Sequence, residues 1–252
     1  MGDIDNPRLA DEVSVDSLWK VVAYTLLAGM AMPLGAVFAS VERIRPRWLE
    51  NELRHGVIAF GGGALLAAVA LVLVPQAIVR FEPTAAALWF CAGGVAFMGL
   101  DILLARSKTA ASQMAAMLSD FIPESLALGA AFAHGGTGAM LLAILMALQN
   151  LPEGFNAYRE MNQASGYSRQ RLLSLFAAAA LLGPVAGVSG YLWLDDSPQV
   201  VAAVMLFAAG GILYSVFQDI APQAKLNKHW APSLGALLGF MLGIVGHMLT
   251  GG

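Results

Sequence analysis

The sequence predicts an all-α fold: a polytopic membrane protein with eight transmembrane helices and both N and C termini on the extracytoplasmic side. Three observations predict it. Of the 252 residues, 58% are hydrophobic and only 12% are charged, about half the charge of an ordinary soluble domain. Apolar segments long enough to cross a bilayer, about 20 residues each, follow one another with no soluble domain between them. The basic residues alternate from one connection to the next. The mean hydropathy is +0.68, and the 27 glycines suit helices that pack closely through small residues.

Residues 1–16 are acidic and polar. They lack the basic start and apolar core of a signal peptide, and "MGDIDNP" is a poor myristoylation signal, so they read as a polar tail. A single membrane domain then covers 17–252. Its spans are expected at about 17–40, 55–79, 84–105, 112–133, 137–158, 170–193, 199–222 and 232–250. Pro33, Pro75, Pro123, Pro152, Pro184 and Pro222 fall inside or near the ends of these segments. Proline is tolerated in membrane helices because neighbouring groups satisfy the carbonyl it frees.

Orientation follows from Lys and Arg. The connection after span 1 carries Arg43, Arg45, Arg47 and Arg54, and the one after span 3 carries Arg106 and Lys108. Arg159, Arg169 and Arg171 follow span 5, and Lys225 and Lys228 follow span 7. The opposite side holds only Arg8, Lys20 and Arg80, which completes the 14 basic residues. A wrong span count would scramble this alternation. It places the basic connections in the cytoplasm and the protein in a cell membrane, with a bacterial inner membrane as the expected one. Membrane lipid is the expected surrounding and no nucleic-acid partner is expected; the net charge of −3 says little more. Cys91 is the only cysteine, so one chain can form no disulfide and no Cys-based zinc site. Self-association into a homodimer is left open.

The chemistry lies in the polar residues inside the spans. An ionised Asp or Glu at mid-bilayer costs at least about 2.5 kcal/mol, so such residues persist where they face a pathway, a partner or a bound cation. "SDFIPESLALG" and "ALQNLPEGFNA" carry the same device on successive spans. Asp120 and Glu124 are i and i+4, on one helix face, and Gln149 and Glu153 repeat that relation. Each Glu follows a proline: Pro123 cannot donate to Ser119, nor Pro152 to Leu148. If the two faces meet, three carboxylates and one amide converge into an oxygen-rich site fit for a divalent ion. Asp101, near Arg106, reads as structural or interfacial. Gln218 and Asp219, at the basic end of span 7, read equally as a second or exit site and as the wet end of a helix. His134, after span 4 at the outer face, reads as a solvated loop residue rather than one that greets an incoming ion; His55 and His229 read as interfacial and His247 as a packing residue.

These residues resemble the ZIP (Zrt/Irt-like) family of divalent metal transporters, and the resemblance runs the length of the chain. Gln149-Asn150-Leu151-Pro152-Glu153-Gly154 is similar to the family's fifth-helix motif, and Asp120-Phe121-Ile122-Pro123-Glu124-Ser125 to its fourth. "AGMAMPLGA", "FGGGALLAAVALVLVPQA" and "GGILYSVFQDIAP" also resemble the family. The resemblance implies a transported metal held by Asp120, Glu124, Gln149 and Glu153, with Asn150 beside a second metal. Phe121 and Gly183 stand where that second site would need ligands, so a single transport site is expected. Asp120 replaces a usual histidine, which moves preference toward harder ions; zinc, iron, manganese and cadmium stay open. No resident cofactor is implied: the divalent ion is the cargo. Entry to the cytoplasm by alternating access is the implied mechanism, without the histidine-rich cytoplasmic loop of the family.

Three other readings are weighed against this one. A proton-coupled transporter of a non-metal solute would use the same carboxylates. A ZIP-like protein could bind metal without moving it. "GVSG", Gly187 to Gly190, with His247, sketches an intramembrane serine protease, but leaves Asp120, Glu124 and Glu153 without a role.

Overall fold

The computed structural model describes the backbone of residues 7–41, 47–105, 110–133, 138–194, 197–225 and 229–250. The fold is all-helical. Eight helical rods account for these residues, labelled here in chain order. Rod α1 is Pro7–Val41. Rod α2 is Arg47–Ala68, continued through a π-helical turn at Val69–Leu73 into Val74–Ile78. Rods α3, α4 and α5 are Pro83–Ala105, Ala110–Ala133 and Ala139–Ala164. Rod α6 is Arg169–Ala180 followed by Leu182–Leu194. Rod α7 is Pro198–Ser215, a π-helical turn at Val216–Ile220, and Ala221–Ala224. Rod α8 is Ala231–Leu249.

Seven of these rods contain stretches long and apolar enough to cross a membrane, and α5 is not among them. The reason is local. Gln149, Asn150, Glu153 and Asn156 dilute its apolar character, so the rod that carries Gln149, Asn150 and Glu153 is the one without such a stretch. The expected boundaries match to within a few residues, except that α1 begins at Pro7, α2 begins at Arg47 rather than near 55, and α5 continues to Ala164. Residues 7–16 therefore extend the first helix. Arg43, Arg45, Arg106, Lys108, His134 and Lys228 lie outside the described residues.

Both π-turns obey one local rule. Val74 N–H bonds the carbonyl of Val69, and Ala221 N–H that of Val216. In each case the next residue is proline, Pro75 or Pro222, which has no N–H and cannot restore the ordinary ladder. Pro123 and Pro152, by contrast, sit inside unbroken helices.

The rods pack in two groups of four. α1 lies most closely on α5 and α4 on α6, while α2 lies on α8 and α3 on α7. Glycine permits these close approaches. A Cβ on Gly154 would strike the Met32 backbone across the α1–α5 seam, and one on Gly129 would strike Gly187 across α4–α6. With little hydrophobic drive between helices in lipid, such backbone proximity is the main source of packing energy. The two groups meet where α2 and α7 touch α5 and α4. On one side of this contact Leu141, Leu142, Leu145 and Met146 are buried in a single apolar core with Val72 and Leu73.

Candidate metal centre

The other side of the contact between the groups holds a cavity of about 260 Å³. Its walls come from five rods: Gly61 and Gly62 of α2, Asp101 of α3, Asp120 of α4, Gln149, Glu153 and Glu160 of α5, and Tyr214 and Asp219 of α7. Apart from Gln149, near the middle of α5, these residues lie in the half of each rod nearest the Arg- and Lys-bearing connections. The cavity therefore extends from the middle of the rods toward the basic end, with buried Leu141, Leu142, Leu145 and Met146 of α5 on the other side.

At the inner limit of the cavity, Gln149 Nε2 donates to Glu124 Oε2 at 2.7 Å. Both residues are buried, Glu124 completely. Helix geometry puts Glu124 one turn beyond Asp120, and the α4–α5 contact brings it to Gln149. The remaining oxygens, Glu124 Oε1 and Gln149 Oε1, are buried without a hydrogen-bond partner. Buried polar atoms are nearly always paired, so two adjacent orphan acceptors mark a place that wants a donor or a cation.

Asp120 and Glu153 both line the cavity, and Glu153 lies within Coulombic reach of Asp120, Glu124 and Asp219. The acidic groups thus share one electrostatic environment. Their side chains are nevertheless engaged separately. Ser215 of α7 donates to Asp120 Oδ1 at 3.3 Å, while Glu124 is engaged by Gln149. Among the described residues, no three Asp, Glu, His or Cys side chains are grouped closely enough to hold a metal ion. The convergence expected from the sequence is therefore partial: Asp120, Gln149 and Glu153 line one cavity, whereas Glu124 is not in its wall and is reached through Gln149. The i, i+4 rule places Asp120 and Glu124 on one face, but different neighbouring rods claim each of them.

Besides Glu124, two candidate residues do not line the cavity. Asn150 is fully buried and donates from Nδ2 to the Ala28 carbonyl at 2.9 Å, which ties α5 to α1. Gln218 is exposed. Each neighbours a cavity residue, Gln149 or Asp219, and one residue along a helix turns the side chain by about 100°. Asp101, by contrast, faces the cavity and accepts from Tyr214 Oη at 3.1 Å.

Phe121 is fully buried, and its ring reaches the space that side chains at two glycines would fill. Its Cζ lies 2.6 Å from where a Cβ on Gly183 would stand and 2.9 Å from one on Gly29. The aromatic ring occupies the pocket those two glycines leave between α1, α4 and α6.

Other functional-looking side chains are absorbed by structure. Ser189 donates to the Val185 carbonyl at 2.7 Å on its own helix. His229 pairs with Glu52 at 2.7 Å on the surface. Sequence reasoning missed Ser215, Tyr214, Asn156 and Glu160 as cavity residues. The signal was faint: only Pro222 hints that the register of α7 shifts just after Ser215.

Compared with models of known protein families and with curated proteins, the chain finds no match.

Proposed function

We propose that this chain is a transporter of divalent metal ions of the ZIP type, which moves its ion across a cell membrane, with the bacterial inner membrane as its place, toward the cytoplasm. The observation that carries the reading is the Glu124–Gln149 pair. A completely buried carboxylate is hydrogen-bonded to an amide rather than to a cation, and two neighbouring acceptor oxygens have no partner. An ion bound there would satisfy both, with Glu153 and Asp120 as further oxygen donors from the cavity wall. A donor set made of oxygen suits manganese and iron as well as zinc and cadmium.

In this reading α5 is the eighth span, and both termini share the extracytoplasmic side. The positive-inside rule makes the basic end cytoplasmic, so the cavity is an inward-open vestibule. Alternating access then means movement of the α1, α4, α5, α6 group against the α2, α3, α7, α8 group around the site. The pooled carboxylates bind the ion when deprotonated and release it when protonated.

The test is ion uptake into vesicles containing purified protein, with zinc, iron, manganese, cadmium and magnesium compared. Uptake of at least one transition ion, lost in Glu153→Ala, is expected. Wild-type rates for that variant would remove the site.

That no three Asp, Glu, His or Cys side chains group tightly among the described residues favours one second reading, proton-coupled transport of a small solute. Metal-dependent thermal stabilisation, abolished by Glu124→Ala, separates the two.

A further inference from the structure

Resting on the transporter reading above, we infer that Ser215 is a positioning residue: it holds Asp120 on α7 while the site is empty and yields it when an ion binds.

The geometry is asymmetric. Asp120 and Glu124 are one turn apart on α4, yet Glu124 turns to Gln149 of its own rod group and Asp120 to Ser215 of the other group. The Ser215–Asp120 contact therefore spans the boundary that must shift in an alternating-access cycle. Both residues line the cavity, together with Gln149 and Glu153. Nothing further need open for Asp120 to change partner.

The contact is also built to break. At 3.3 Å it is longer than the usual O–H···O range of about 2.5–3.0 Å, and its donor is a neutral hydroxyl. A divalent cation beside Glu124 and Gln149 attracts a carboxylate far more strongly at such short range. Ion binding would thus transfer Asp120 from α7 to the ion and remove one polar link between the two groups. The position of Ser215 fits this role. It is the last residue before the π-helical turn Val216–Ile220, so the helix register beyond it differs from that before it.

The experiment is equilibrium titration of purified full-length protein with manganese(II) and with cadmium(II), read by calorimetry. Ser215→Ala removes the competing partner and is expected to tighten binding about fivefold, the equivalent of one net hydrogen bond. Ser215→Thr, which keeps the hydroxyl, should match wild type. In an Asp120→Asn background, Ser215→Ala should change nothing. Unchanged or weaker binding in Ser215→Ala, or the same change with and without Asp120, overturns the inference and leaves the transporter reading standing. No binding of either ion by the wild-type protein removes both.

Discussion

Gln149 Nε2 and Glu124 Oε2 stand 2.7 Å apart across the α4–α5 contact. The pair joins the two helices that carry a Pro-Glu step, and both residues are buried. The amide lends one donor to a carboxylate that would otherwise have none, and leaves its own oxygen unpartnered beside it.

Gln149→Leu should therefore destabilise the ion-free protein. It leaves Glu124 with no donor, at a cost of about 1–3 kcal/mol. A lower midpoint in thermal unfolding checks this, and the double variant Gln149→Leu/Glu124→Leu should recover part of the loss.

Glu124→Gln and Glu153→Gln keep side-chain volume and remove charge. Each is expected to weaken ion binding roughly 10- to 100-fold, on the scale of a lost charge-assisted contact. Wild-type binding should itself weaken as the pH falls, since protons and the ion compete for the same oxygens and a ligand must be deprotonated to bind. Calorimetric titrations at successive pH values read both effects; affinity that rises on acidification contradicts the assignment.

The side on which the cavity opens can be read chemically. Ala116 lines it, and Cys91 is the single native cysteine. In a Cys91→Ser background, Ala116→Cys should react with a membrane-impermeant thiol reagent from the cytoplasmic face alone. Added manganese should slow the reaction. Labelling from the outer face would reverse the orientation.

Asn156 forms a clasp between the groups. Arg54 of α2 donates to its Oδ1 at 2.9 Å, and its Nδ2 contacts Gln223 Oε1 at 2.8 Å and Glu160 Oε1 at 2.9 Å. Asn156→Leu removes these contacts and should shift the population away from the open cavity, so that labelling at Ala116→Cys slows by up to about 30-fold, as expected for two cross-group bonds at about 1 kcal/mol each.

Gly154→Leu should fail to reach a stable fold. The added side chain meets the Met32 backbone, and backbone cannot rotate aside as a side chain can; overpacking of this kind costs about 1–3 kcal/mol or more. Gly166→Ala, where nothing lies within 4 Å of the new Cβ, serves as the control and should behave as wild type.

Much of the helical framework was legible because it rests on local patterns. Apolar length marks the rods, and helical periodicity puts Asp120 over Glu124 and Gln149 over Glu153. The same periodicity explains why Asn150 and Gln218 turn away from the cavity, a consequence of adjacency that motif spacing hides. The extension of α5 to Ala164 was harder to foresee, because the polar residues that make the site also blur the apolar signal of its helix.

By itself, the sequence determined the helical class, the alternation of basic connections, and the shared faces of the acidic residues. All of these follow from properties of residues within a few positions of one another. Only the tertiary structure decided that Glu124 meets Gln149 while Asp120 meets Ser215, that Phe121 fills the gap left by Gly29 and Gly183, and that Asn156 bridges Arg54 and Gln223. Those pairings depend on which helix faces pack together, and packing energy is set between distant segments by close backbone approach, which no local pattern encodes.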